Sequence, residues 1–373
     1  MASIGAQSPD DALRRTDPQT CPQAERRSDG GPPSRQTGPD RCALIDRAVF
    51  LRRGGRRRPG SVAPAPGPGA ESGGDARGAW REGGGAVSGG SAIQVTRHGG
   101  EAHCWAMASR RPDARLAPYV IDYQGYREYA PAALRRLQAP FAGIPMIVTF
   151  GPAIDIINGD APTVRATHQS FLAGLHDVHV VTEFRGEQRG FQVNFTLLGA
   201  YRLLRLTMSE IANRCVDLGD LLGAAAAQLS EQLHDAPDWP ARFDLMDRFL
   251  LRRIAEGRAM APDVAWALRG LEASHGARSI GSLTRALGCS RRHLIQRFHA
   301  QVGLSPKAVA GILRFARAVD GLGAADAQGW ADLALSCGYS DQAHFSRDFR
   351  RYAGRTPSEF RAALLPAGGG VAG

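Results

Sequence analysis

Between Ser279 and Arg361 the chain repeats one pattern twice, and a duplicated unit limits the fold more than any composition can. The first copy runs Ile280, Leu283, Ala286, Leu287, Gly288, then Ser290, Leu294, Phe298, Gly303 and Pro306. The second runs Trp330, Leu333, Ser336, Cys337, Gly338, then Asp341, Phe345, Phe349, Gly354 and Pro357. Up to the glycine the offset is 50 residues and beyond it 51, so the second copy carries one extra residue in its turn. A slip confined to a turn leaves both helices intact.

In each copy apolar residues recur at helical spacing on both sides of a glycine, which predicts two short helices joined by a tight turn. Gly288 and Gly338 suit the left-handed conformation that ends the first helix. Ser290, and Ser340 or Asp341, are placed to cap the second helix by accepting from its free backbone amides. Leu294 and Phe298 in one copy, and Phe345, Phe349 and Tyr352 in the other, form the face that packs inward. Off that face lie Arg291, Arg292, Ile295 and Gln296, and Gln342, His344, Ser346, Arg347 and Arg350. Arginine bonds guanine bidentately and glutamine bonds adenine, which is what a reader of the major groove requires. One such helix is as readily a solvated basic face; two with the same layout favour groove docking.

Between the copies, Ser305 and Pro306 read as an N-cap followed by proline at the first helical position. The helix they start, through Lys307, Ile312, Leu313, Phe315, Ala316 and Val319, is expected to hold the units at a fixed separation. Two readers on one face of B-DNA need to sit about one helical turn, roughly 34 Å, apart. Val264 to His275 reads as one more amphipathic helix, with Val264, Leu268 and Leu271 inward.

Residues 262–363 resemble the DNA-binding domain of the AraC/XylS transcriptional regulators. The strongest part is Ala331 to Arg361, with its Gly-Tyr turn, His-Phe-Ser-Arg helix and Gly-x-Thr-Pro-x-x-Phe-Arg ending. The resemblance implies seven helices, with Arg292, Gln296, Gln342 and Arg347 at base-contacting positions. Trp330 departs from the usual isoleucine or valine, and Gly311 softens the connecting helix by about 1 kcal/mol relative to alanine.

Charge follows the same division. Residues 1–100 hold 15 arginines and 10 acidic residues, and residues 263–363 hold 14 basic and 8 acidic, out of a net +10. A basic terminal domain on a near-neutral middle is the footprint of a DNA-binding module joined to a part with another task. The cysteines Cys21, Cys42, Cys104, Cys215, Cys289 and Cys337 are scattered, with no zinc-type spacing, as in a reduced cytoplasmic chain. Residues 1–106 are rich in Arg, Gly, Pro and Ser with almost no apolar periodicity, so disorder is expected. They read as a basic arm, a plain tail, or a segment that is not translated. Lys307 is the single lysine among 46 basic residues, the mark of a GC-rich genome with overlong open frames, and the expected start is at or near Met107.

Residues 107–200 carry short apolar runs that read as strands: Tyr119 to Tyr123, Met146 to Phe150, Ile154 to Ile157, Ser170 to Leu172, and a hairpin of Val178 to Phe184 with Phe191 to Thr196. They suggest a small antiparallel barrel or sandwich. Residues 201–258 become helical, with Leu218, Leu221, Leu222, Ala225, Leu229 and Leu233 as one stripe and a second helix from Trp239 to Leu250. The expected fold class is α+β and multidomain: a cupin-like antiparallel β-barrel, then helices, then an all-α domain at 262–363, with a disordered tail at 364–373.

Gly125 to Glu128 and Thr196 to Ala200 extend the resemblance to the effector-binding half of the same family. It implies a small-molecule effector in the barrel, and helices that mediate self-association or transmit the barrel's state. Effector-binding residues are not identified; Arg127 and Glu128 with Tyr123, Tyr126 and Tyr129 line a pocket in one reading and cover a sheet edge in another. His168, His176 and His179 with Asp177 and Glu183 offer no third ligand to a metal at strand spacing, so no metal, cofactor or catalytic set is assigned. The partners implied are double-stranded promoter or operator DNA, an effector, RNA polymerase where the effect is activation, and a second copy; a membrane is not among them. The alternative is an enzyme that uses the C-terminal domain for targeting, as DNA-repair proteins with a reactive cysteine do.

Overall fold

The computed structural model describes residues 93–99, 103–159, 161–323, 329–364 and 370–373. The first 92 residues, on which most of the expected disorder falls, lie outside them. Ten strands form one antiparallel sheet: β1 Gln94–His98, β2 Cys104–Ser109, β3 Val120–Gln138, β4 Ile144–Thr149, β5 Ile154–Asn158, β6 Arg165–His168, β7 Phe171–Ala173, β8 Val180–Phe195, β9 Cys215–Asp217 and β10 Val371–Ala372. The main order is β1-β2-β3-β8-β4-β7-β9, with β5 and β6 beside the first half of β8 and β10 on β3.

Three expectations about the sheet change. The hairpin of Val178 to Phe184 with Phe191 to Thr196 does not form: residues 180–195 are one strand paired along its length with β3. Gly186, read as part of a turn, has φ 80° opposite an irregularity between Ala130 and Leu134, so it absorbs a bulge and the strand runs on. The sheet is not closed into a barrel. One edge of β8 is shared, Thr182 pairing with Ile156 of β5 and Val193 with Met146 of β4, so the sheet splays past the turn at Gly151 to Ala153. The β-rich region also begins before residue 107. Met107 is mid-strand in β2, paired with Tyr126 on one side and Thr96 on the other.

Four helices cover the sheet and lead out of it: α1 Leu197–Leu204, α2 Leu218–Leu222, α3 Ala224–Asp235 and α4 Trp239–Ala255. The expected single leucine stripe is broken at Gly223, whose φ of 59° ends α2 and starts α3. Tyr123 and Phe191 of the sheet close on Phe243 of α4, each with its ring centroid 5.1 Å from that of Phe243, and all three side chains are almost fully buried. Trp239 explains Gly125: a Cβ there would stand 1.8 Å from the indole, so only glycine lets α4 lie on β3. Arg110 fixes the helix from the other side, donating to Asp244 and Asp247 at 2.6 Å each.

Among the described residues seven α-helices follow, the number the resemblance implies: α5 Pro262–Ala273, α6 Ile280–Leu287, α7 Arg291–Val302, α8 Pro306–Gly321, α9 Trp330–Ser336, α10 Gln342–Ala353 and α11 Pro357–Ala362. The expected tail at 364–373 is in part a strand, because Val371 is buried and pairs with Leu137 of β3. Among the described residues no helix is long and apolar enough to cross a membrane.

Candidate nucleic-acid interface

Each reading helix is set by a local device. Ser290 Oγ accepts from the His293 N–H at 3.2 Å and starts α7; Asp341 Oδ1 accepts from the His344 N–H at 2.7 Å and starts α10. Asp341 rather than Ser340 is therefore the cap. Accepting that N–H and the Ser340 hydroxyl holds the Asp341 carboxyl below its ordinary range. The preceding turns pass through Gly288 at φ 62° and Gly338 at φ 81°, as the repeat predicts.

Both helices bury the face their periodicity marks. Leu294, Phe298, Phe345 and Phe349 have no exposed surface and Tyr352 has 2 %. Phe315 of α8 meets Phe349 at 5.0 Å and Tyr352 at 5.1 Å, so the connecting helix is bolted to the second unit through rings. α8 packs against α5 and α7 on one side and α9 and α10 on the other, which makes it the element common to both units. Trp330, the departure from the usual aliphatic residue, stacks on Phe345 with centroids 6.5 Å apart under the Arg361 guanidinium.

The outward face carries the residues that the sequence marks as candidate readers. Arg291, Arg292 and Gln296 are exposed on α7 and with Ile295 line one open concavity. Gln342, Arg347 and Arg350 are exposed on α10. Ser346 is half-buried. His344 is more engaged than the sequence suggests: Nδ1 lies 3.1 Å from Ser340 Oγ, Nε2 3.6 Å from Asp348, and the ring meets Tyr339 edge-on. It braces the helix start. Arg351, missed by sequence reading, stands one turn beyond Arg347 and bonds Asp177 of the β domain at 2.7 Å.

The other candidate groups do not converge. His168 Nδ1 lies 2.9 Å from Asp217, His176 Nδ1 donates to the Gly174 carbonyl at 2.6 Å, and His179 abuts Gly159 and Gly354. Glu183 bonds Arg135 and Arg165. Glu128 turns inward to Arg136, at 2.6 and 3.0 Å, with His103 3.3 Å away, whereas Arg127 pairs outside with Glu187 at 2.8 Å. Tyr123 is buried against α4, whereas Tyr129, six residues on and on the same face of β3, is 44 % exposed.

Residues 283–363 match a family described as "Helix-turn-helix domain". No curated protein matches the chain. Among solved structures, ToxT from Vibrio cholerae is 11 % identical over 65 % of this chain and 98 % of its own, with a TM-score of 0.38. The AraC-like transcriptional activator CuxR is 13 % identical over 56 % of this chain and 80 % of its own, with a TM-score of 0.26. The xylose-binding transcription activator XylR is 22 % identical over 38 % of each chain, with a TM-score of 0.24. With two capped helices joined by α8 and the matched region covering both, the C-terminal part of this chain is a helix-turn-helix domain of the AraC type.

Proposed function

We propose that the chain is a transcription regulator that reads DNA with α7 and α10 in adjacent major-groove segments and takes an effector signal from its β domain. Arg291, Arg292 and Gln296 read one segment, and Gln342, Arg347 and Arg350 the other; the arginines also supply phosphate affinity. The observation that carries this is the pairing of two outward basic faces through one buried helix, α8, which turns two short readers into one rigid ruler.

The effector reading rests on domain order. A β domain covered by α1 to α4 precedes the reader, and the turn Met208–Glu210 that leaves α1 packs directly on α7, so a change at the sheet has a short path to a reading helix. The enzymatic alternative needs a reactive thiol. Burial, with Asp217 beside it, pushes the Cys215 thiol up to about 12, the opposite of activation.

The experiment is retention of genomic DNA fragments by the chain, followed by sequencing. A single asymmetric motif in two parts about one helical turn apart supports the reading. Retention without a motif contradicts it.

A further inference from the structure

Arg351 shares the outward face of α10 with Arg347, four residues earlier, yet its guanidinium is turned to the β domain. Its acceptor is held in place. Asn213 Nδ2 donates to Asp177 Oδ1 and the Asp177 N–H donates to Asn213 Oδ1, both at 2.9 Å, leaving Oδ2 to receive Arg351. The Asp177 side chain is 19 % exposed and that of Arg351 56 %. The same loop places His179 against Gly354, where a Cβ would stand 2.5 Å from Nε2, and Arg355 Nη1 donates to the Ala372 carbonyl of β10 at 2.9 Å. Three adjacent contacts thus hold the end of the second reading helix to the β domain. Asn213 also follows closely on the turn Met208–Glu210 that packs on α7, so both reading helices lean on one short segment.

We propose that Arg351 is a further DNA-backbone contact, and that Asp177 occupies it when DNA is absent, standing where a phosphate would. The proposal rests on the DNA-binding reading above. A guanidinium fork that bonds a carboxylate bonds a phosphate through the same donors, so the two partners exclude each other. The β domain thereby sets the availability of the second reader through a single exchange of partners.

The test is a double-mutant cycle on the full chain, titrating a mixed-sequence DNA duplex over a series of salt concentrations. Asp177→Asn should tighten binding about two- to five-fold, the scale of an exposed ion pair. Arg351→Ala should weaken it and lower the salt slope by about one. In the Arg351→Ala background, Asp177→Asn should change nothing. Asn213→Ala, which frees Asp177 without altering charge, should also tighten binding. An equal rise in the Arg351→Ala background would show that Asp177 acts by general repulsion, and no rise with Asp177→Asn would show that Arg351 is not withheld; either overturns the assignment. Loss of duplex binding by the unaltered chain would instead contradict the proposed function itself.

Discussion

Gly311 faces the hydroxyl of Tyr352: a Cβ on Gly311 would stand 2.2 Å from that oxygen. The glycine that looks like a weak point in the connecting helix is the site where α10 comes close enough to be held by it. Helix propensity alone would make Gly311→Ala stabilising by about 1 kcal/mol. Because Tyr352 is 2 % exposed and its ring is wedged on Phe315, the close contact wins, and the substitution should destabilise by about 1–3 kcal/mol. Urea unfolding checks it, and adding Tyr352→Phe should recover part of the loss.

Phe349 has no exposed surface and touches Phe315, Phe345 and Phe360 through ring contacts of 5.0–5.6 Å. Phe349→Ala should cost about 3–5 kcal/mol. Thermal unfolding should show this loss even without DNA, which separates it from a change at the reading face.

How much of this was legible in the sequence depends on range. The caps Ser290 and Ser305, the turn glycines and the buried rings of α7 and α10 follow from neighbours within a few residues, and the structure has them as read, with Asp341 the cap of the pair Ser340 or Asp341. Strand β8 was misread because Gly186 and Gly190 imitate turn punctuation, while the ladder with β3 decides otherwise. Gly125 and Gly311 look like concessions of propensity until their partners Trp239 and Tyr352 are in place. Arg351 was hidden for the same reason: Asp177, its partner, is 174 residues away. Two-residue β10 has no periodicity to detect.

Glu128 should make the β domain sensitive to acid. Burial pushes its carboxyl up, but hydrogen bonds from His103 and Arg136 outweigh that and hold it below the ordinary carboxylate range. A depressed carboxyl stabilises fully above its unfolded value, and the contribution is lost as pH falls through the folded one. Glu128→Gln should cost about 3 kcal/mol near neutral pH. The gap from the unaltered chain, followed by urea midpoints, should narrow as the solution is acidified below the carboxylate range.

Cys215 should be inert in the folded chain, since burial beside Asp217 raises its thiol to about 12. Mass spectrometry after brief iodoacetamide treatment at mildly basic pH should find it unmodified, and modified once the chain is unfolded in urea. Rapid labelling of the folded chain would favour the enzymatic alternative.

The central claim is that one chain carries two independent readers, and separate loss of each tests it most directly. Arg292→Ala with Gln296→Ala should erase base preference in one part of the selected motif, at about 1–3 kcal/mol per lost base contact, and leave the other part intact. Gln342→Ala with Arg347→Ala should do the converse. Selection of random-sequence duplexes by the two double variants gives the answer: complementary half-motifs agree with the account, whereas preference that survives in both variants, or vanishes from both parts at once, would contradict it.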